Sequence, residues 1–414
     1  MEYIYFDAQD IKLDNGLRII TVKRDTSIAS LQCGIKIGAL YEGPEERGIS
    51  HFIEHMIFKG TKNRSNQVLN QELEFLGGEY NAYTDYTNTV YSITVLEEEV
   101  ENAATLLADM LINSTFPEEE IIKEKGVILA EYNSISDDIE DYSFRMTNYY
   151  GFKESPLKHD VIGTAEAINS FTREQLVDFY SKHYVPNNCV ITLVSSMEHE
   201  VALEMLKGLF GHWKSINIEP VKPVIEKNIN VKKTTYKSNI EQGTITYLYT
   251  FHNLDKQKEL ALRILNHRLG ESANSILFRE LREKRGLAYD VYTHLDTTKA
   301  VKTLYIYTAV QESLIKETIK VIDNCIEQIK MGNMVNDDNM FVLIKKVMKT
   351  SVASTLEDST DLANYILHQC LDGESIYEFI EDMKNIEQLN KEEIYQVAKE
   401  VFNKPTIHIL KPKK

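Results

Sequence analysis

The sequence predicts an α+β fold made of two homologous domains. Three observations predict it: strand patterns recur with amphipathic helices between them, one helix-to-strand segment occurs twice, and a proline-containing stretch lies near the midpoint. A chain of 414 residues is long for one core, whereas 43% hydrophobic residues are enough for two. We therefore expect two domains, each a mixed and mainly antiparallel β-sheet covered by helices, which together form a clamshell.

Strand patterns open each half of the chain. They are GLRIITVKR and IASLQCGIKIGAL in the first half and GTITYLYTFHN in the second. Helical periodicity follows in VENAATLLADMLINS and in ESLIKETIKVIDNCIEQIKM, and NTVYSITVL predicts another strand. Because the early strands are arranged like hairpins, a purely parallel sheet is not expected.

The duplication is indicated by two similar segments. FTREQLVDFYSKHYVPNNCVITLV begins at Phe171, and LNKEEIYQVAKEVFNKPTIHIL begins at Leu389. Each has a helix-capping residue, Thr172 or Asn390, then an amphipathic helix, a proline and a β-branched strand. The match is weak in identity but consistent in pattern, which favours two copies of one domain.

The stretch SINIEPVKPVIEKN holds two of the eight prolines and little helical periodicity, which is typical of a linker. The predicted division is an N-terminal domain at 1–214, an interdomain linker at 215–233 and a C-terminal domain of the same fold at 234–414.

Composition excludes several kinds of protein. A formal charge of -17 argues against nucleic-acid binding; it indicates a solvated acidic surface or, as an alternative, attraction of a basic partner. The sequence has no apolar run long enough to cross a membrane, and its first residues do not resemble a signal peptide. With four scattered cysteines that form no Cys-x-x-Cys pair, a cytoplasmic location without membrane association is expected.

The stretch HFIEHMIFKGT, which begins at His51, carries the main chemical signal. On a helix, His51, Glu54 and His55 share one face because side chains three and four apart meet within one turn. Two imidazoles on one face can bind one zinc ion, with Glu54 beside the position of a reacting water. An amphipathic helix that contains two histidines by chance is the alternative, so a third ligand from another element is required.

A candidate for that element is FPEEEIIKEKGVILAEYNSISDD, whose proline and three glutamates are typical of a helix N-terminus. Glu124 and Glu131 are seven residues apart and lie on the same helical stripe. Burying carboxylates on an apolar stripe is unfavourable unless a metal or a hydrogen-bonded histidine compensates. By composition alone, a solvated helix glutamate is the favoured interpretation of Glu131.

Together, HFIEHMIFKGT, GGEYNAYTDYTNTVYS and EKGVILAEYNSISDD resemble the pitrilysin-like zinc peptidases, which carry the inverzincin motif His-x-x-Glu-His. The resemblance is closest to the short bacterial relatives of mitochondrial processing peptidase and spans the whole chain. It implies one Zn²⁺ per chain bound by His51, His55 and Glu131. It also implies that Glu124 orients a ligand histidine and that Glu54 acts as the general base and acid.

The resemblance extends to the second half through LREKRGLAYDVYT. It implies that an arginine and a tyrosine approach the zinc site from the other domain, and that a strand of the first domain pairs with an extended peptide. The residues concerned are Arg282 and Tyr289, and Asn81, Ala82 and Tyr83. His267 aligns loosely with the zinc motif but lacks a neighbouring His and Glu, so no zinc is expected in the second domain.

The predicted function is a zinc-dependent endopeptidase that hydrolyses small or unfolded peptides bound in extended form between two domains. Two alternatives stay open: a non-catalytic structural or partner subunit of a heteromeric peptidase, and a peptide-binding chaperone with structural zinc. The second is disfavoured because structural zinc sites normally use four protein ligands. Because one chain carries both family segments, a homodimer is more plausible than an obligate heterodimer.

Overall fold

A computed structural model describes residues 6–219, 221–333 and 338–413. These residues form two compact units. Within these ranges, the first unit contains residues up to 133, 160–222 and 352–378, and the second contains 134–159, 223–351 and 379 onwards. Each unit is a sheet covered by helices, which confirms the predicted α+β class with two similar domains. A contiguous division into 1–214 and 234–414 differs from these units, because each half contributes a helical segment to the other unit.

The two sheets share a five-strand arrangement, to which the first sheet adds β1 at one edge. The first has the order β1-β2-β6-β3-β5-β4 and the second has the order β7-β11-β8-β10-β9. In each, one neighbouring pair is parallel, β2 with β6 and β7 with β11, and the other described pairs are antiparallel. The strands are β1 Asp7–Lys12, β2 Arg18–Lys23, β3 Ile28–Ile35, β4 Glu79–Thr84, β5 Thr89–Leu96, β6 Cys189–Ser195, β7 Val231–Lys237, β8 Gly243–Thr250, β9 Ala288–Asp296, β10 Thr303–Val310 and β11 Thr406–Pro412.

In the described residues, α-helices cover the sheets. They are α1 Ile49–Ile57, α2 Asn66–Phe75, α3 Val100–Asn113, α4 Glu118–Asp137, α5 Ile139–Gly151, α6 Ala165–Ser170, α7 Arg173–His183, α8 His199–Phe210, α9 Lys256–Asn266, α10 Ile315–Lys330, α11 Asp338–Glu357, α12 Ser359–Asp372, α13 Glu378–Gln388 and α14 Lys391–Val401. In the described parts of the chain, no helix is both long enough and apolar enough to cross a bilayer.

The repeated segments occupy equivalent places. In the first unit α7 leads into β6, and in the second α14 leads into β11. Thr172 and Asn390 each accept a hydrogen bond from the third backbone N–H of the helix that follows, so both predicted caps are present. Strand β7 begins at Val231, inside the stretch 215–233 that the sequence predicts as a linker.

Helices α5 and α12 are the segments that the two halves exchange. Each begins with an aspartate cap, Asp138 or Asp358, whose side chain accepts two backbone hydrogen bonds. Helix α5 packs against β8 and β11, whereas α12 packs against β3 and β6, the equivalent strands of the first sheet. The sheet core of the first unit therefore includes apolar side chains from the second half of the chain, such as Leu362, Ile366 and Leu367.

Candidate metal and catalytic site

Helix α1 presents its histidines because its other face is strongly apolar. Phe52, Ile53 and Met56 are fully buried, and they anchor the helix to the core of the first unit. The buried carboxylate of Glu42 accepts hydrogen bonds from the backbone N–H groups of Gly48, at 2.8 Å, and Ser50, at 2.9 Å. An anion at this position satisfies N–H groups that the helix itself leaves unpaired. Burial raises the pKa of the Glu42 carboxyl even against these hydrogen bonds.

Gly48 is required where the chain enters α1. Its φ is +91°, in the left-handed region that favours glycine, and a Cβ atom here would lie 2.5 Å from the carbonyl oxygen of Ile162. A side chain at this position would therefore displace the start of the helix that carries both histidines.

The structure brings together the three predicted metal ligands. One ligand atom from each of His51, His55 and Glu131 lies within 4.8 Å of the other two. The Nε2 atoms of His51 and His55 are 3.6 and 3.5 Å from the two carboxylate oxygens of Glu131. These separations are long for hydrogen bonds, but they are close to the spacing of about 3.3 Å between two ligands of a tetrahedral zinc ion. Two imidazoles and a carboxylate are also a donor set that catalytic zinc uses, so these residues fit the metal.

The charges around this cluster favour a cation. Burial alone would lower the pKa of His55, but the carboxylates of Glu124 and Glu131 raise it to about 9. The imidazoles of His51 and His55 hold the pKa of the Glu131 carboxyl well below its usual range. A bound divalent cation could take the place of the proton between these groups, because it satisfies the same carboxylate.

Glu124 lies on the far side of His55 from Glu131. Its Oε2 is 3.1 Å from His55 Nδ1, so the histidine can donate that N–H and keep Nε2 for a metal. The side chain of Glu124 is only 5% exposed, and Lys59 Nζ approaches its other oxygen at 2.7 Å. Although burial opposes ionisation, hydrogen bonds from His55 and Lys59 lower the pKa of Glu124. Sequence reasoning did not identify Lys59, although it stands four residues after His55 in the same motif.

Glu54 lies on the same turn of α1 as the histidines. Its Oε2 accepts a hydrogen bond of 2.6 Å from the hydroxyl of Thr84, the last residue of β4. This contact orients the carboxylate and joins α1 to the end of an edge strand. Thr84 was also not identified from the sequence, since a threonine in a polar strand gives no signal of its own.

The predicted peptide-binding residues Asn81, Ala82 and Tyr83 lie in β4, which is the edge strand of the first sheet. They pair on one side with β5, and an edge strand leaves backbone groups on its other side available to another strand. The Tyr83 side chain contacts α12, where its hydroxyl lies 2.6 Å from His368 Nε2 and donates to Asn364 at 3.2 Å. Tyr83 therefore holds the strand in place, and only its backbone is suited to pairing with a peptide.

Arg282 and Tyr289 are neighbours in the second unit. The Arg282 guanidinium lies 5.3 Å from the centre of the Tyr289 ring and 4.8 Å from that of Phe278. Tyr289 is 78% exposed at the start of β9, so its hydroxyl can reach another molecule. His267 lies in the same unit with its Nδ1 3.5 Å from Glu271. The approach of Arg282 and Tyr289 to the histidines of the first unit stays a prediction.

Comparisons with known proteins agree on one family. Residues 18–165 match the model described as "Insulinase (Peptidase family M16)", and residues 170–338 match "Peptidase M16 inactive domain". An "Uncharacterized zinc protease" of Rickettsia bellii is 34% identical over 330 residues, covering 77% of this chain and 78% of that protein. Another from Bacillus subtilis is 28% identical over 402 residues, covering 94% of each.

A solved structure supports the fold independently. The crystal structure of a protease from Helicobacter pylori matches with a TM-score of 0.91 at 22% identity, covering 99% of this chain and all of the other. Two family models match this chain, and the Rickettsia bellii relative is 34% identical across 77% of it. This chain therefore belongs to the pitrilysin-like M16 family of peptidases.

Proposed function

We propose that this protein is a zinc-dependent endopeptidase that hydrolyses small or unfolded peptides bound in extended form. One observation carries the proposal: His51, His55 and Glu131 converge on one point, with Glu54 on the same helical turn. The relatives carry the name zinc protease, and this supports the choice of zinc as the metal. Zinc held by these ligands supplies Lewis acidity, which makes a water molecule more acidic and polarises the scissile carbonyl.

The residues of this chain perform the proton transfers. Glu54 accepts a proton from the attacking water and later donates it to the leaving amine, and Thr84 keeps the carboxylate oriented through both steps. The backbone of β4 around Asn81 and Ala82 aligns the peptide as an added strand. Tyr289, with Arg282 beside it, donates hydrogen bonds to the oxyanion or to the peptide backbone.

A decisive experiment measures zinc content and cleavage of a quenched fluorogenic peptide library for wild type, Glu54→Gln and a control, Glu101→Gln, on the exposed surface of α3. Wild type and the control should bind about one zinc per chain and cleave. Glu54→Gln should bind the same amount of zinc and lose at least about 10²-fold in rate, as expected for a lost acid–base group. Equal rates for wild type and Glu54→Gln would refute the assignment.

The second candidate is a non-catalytic structural or partner subunit. It is favoured by the match of residues 170–338 to a model described as an inactive domain. It is opposed by the complete ligand set in the first unit, which a purely structural subunit does not need. Zinc binding without cleavage of any library peptide would favour this candidate and direct a search for a second chain.

The proposal includes two further points. We propose that the protein is a homodimer, because the chain carries both the zinc motif and the segment of Arg282 and Tyr289. We also propose that it is located in the cytoplasm, because its four cysteines are scattered and form no Cys-x-x-Cys pair. Sedimentation should then give twice the chain mass of 47.7 kDa, with activity from this polypeptide alone. Activity that appears only after a different polypeptide is added would contradict the homodimer, and fractionation of cells would test the location.

A further inference from the structure

Helix α2 carries two apolar stripes, and the core of the first unit uses only one of them. Leu69 and Leu73 are fully buried. Val68 and Phe75, which are two turns apart on the other side of the helix, are 41% and 88% exposed. A surface helix normally turns charged and polar side chains towards solvent, and these two exposed apolar side chains line one cavity instead of being scattered singly.

A cavity of about 480 Å³ lies beside these side chains, between α2 and the beginning of α3. We call it the α2–α3 groove and define it by Val68, Glu72, Phe75, Leu76, Glu99 and Leu106. Leu76 and Leu106 are 6% and 3% exposed and form its apolar floor. Its volume lies within the range of roughly 300–1,000 Å³ in which proteins hold ligands.

The charge of the groove is negative. Of the residues that line it, Arg64 is the cation, and it is held between Glu72 and the buried Asp109 at 2.7 Å from each. The single positive charge of Arg64 is therefore shared between the carboxylates of Glu72 and Asp109. Glu99 adds another negative charge to the lining, and the exposed glutamates at 74, 98 and 101 each stand next to a lining residue in the sequence.

We infer that the α2–α3 groove is a docking site for a cationic peptide segment that carries an apolar anchor side chain. The anchor packs between Phe75 and the leucine floor, and lysine or arginine side chains of the peptide face the surrounding carboxylates. A second copy of this chain is a poorer occupant, because two identical acidic rims would face each other on chains of net charge -17. This binding is separate from hydrolysis and does not depend on the zinc site.

The test measures binding by fluorescence anisotropy, with Glu54→Gln as the background in every protein so that no peptide is consumed. The probe is a labelled peptide of lysine and leucine, and its counterpart has glutamate in place of lysine. Phe75→Ser should weaken binding of the cationic peptide by about tenfold, and Glu99→Gln should weaken it by a smaller factor that shrinks at high salt. Because Phe75 is largely exposed, its replacement leaves the fold intact.

Tyr236→Ser is the matched control, since Tyr236 is an aromatic residue that is 61% exposed on β7 of the other unit. It should bind the cationic peptide as tightly as the background protein. The inference is overturned if Phe75→Ser binds as tightly as the control, or if the glutamate peptide binds equally well. It is also overturned if sedimentation shows that Phe75→Ser abolishes a dimer of this chain, because the occupant is then a second copy.

Discussion

At the scale of single residues, the candidate site depends on pairings that extend outwards from the histidines. His55 contacts Glu131 through one ring nitrogen and Glu124 through the other, and Glu124 in turn contacts Lys59. Helical spacing predicts that His51, Glu54 and His55 share a face, because that depends only on the geometry of one helix. It cannot predict the partners Lys59 and Thr84, because those contacts depend on how separate elements pack.

The Lys59 and Glu124 pair should affect zinc affinity. Glu124→Gln removes the carboxylate that orients His55 and should weaken zinc binding by about 10–100-fold. Lys59→Met leaves the buried carboxylate of Glu124 with one partner fewer, and it should weaken zinc binding by a smaller factor. Competition with a chelator of known affinity measures both. Lys62→Met, at an exposed lysine nearby, serves as the control, and an unchanged affinity in Glu124→Gln would contradict the role of the pair.

A buried histidine in the second unit predicts a dependence of stability on pH. Burial lowers the pKa of His408 to about 4, below the usual value for histidine of about 6.5, so the folded protein resists a proton that the unfolded chain accepts. The free energy of unfolding should therefore fall as the pH drops from 6.5 towards 4. His408 contributes about 2 kcal/mol of this loss at pH 5.

His408→Gln isolates that contribution. Glutamine cannot gain the proton but can still reach Thr235, whose hydroxyl lies 2.8 Å from His408 Nε2. Urea unfolding at pH 7 and pH 5 should show a smaller loss of stability for the variant than for wild type. An identical loss in both proteins would show that His408 does not carry the effect.

At the scale of elements, the edge strand β4 is joined to α12 through the side chain of Tyr83. The hydroxyl of Tyr83 contacts both His368 and Asn364, which lie one turn apart on that helix. The family resemblance predicts a strand at Asn81 to Tyr83 that pairs with a peptide. It could not predict the contact with α12, because an apolar face shows that a helix is buried but not which sheet it covers.

Tyr83→Phe should loosen β4 without disturbing the metal ligands. The variant loses the contacts of the hydroxyl with His368 and Asn364, each worth about 1 kcal/mol, so hydrogen exchange along β4 should become faster while zinc affinity stays constant. If a peptide adds to this strand, KM should rise more than kcat falls. Tyr80→Phe on the same strand, where the side chain is 39% exposed, is the control. Unchanged exchange in Tyr83→Phe would show that α12 does not fix the strand.

At the scale of the whole molecule, the exchange of α5 and α12 makes each unit dependent on both halves of the sequence. The duplication was predictable, because the repeated segments at Phe171 and Leu389 share their caps and periodicity. The exchange was not, since α5 and α12 begin with equivalent aspartate caps and either could cover either sheet. Local pattern determines the kind of element, and tertiary packing determines its partner.

This dependence predicts that a fragment of residues 1–214 does not fold by itself. It lacks α12, whose Leu362, Ile366 and Leu367 are buried against the first sheet. Each such side chain contributes about 2 kcal/mol when buried, so their loss approaches the whole stability of a typical domain, about 5–15 kcal/mol. The fragment should aggregate or melt without cooperativity when expressed alone, and it should bind no zinc.

Co-expression with residues 215–414 should restore a complex that purifies together, because the second fragment supplies α12 and receives α5. The control is the full chain cut at a protease site inserted between residues 215 and 228, which keeps both pieces and should bind zinc like the intact protein. The expectation would be refuted by a monomeric fragment 1–214 with a cooperative melt and wild-type zinc affinity. Such a result would mean that the first sheet is stable without a helix from the second half of the chain.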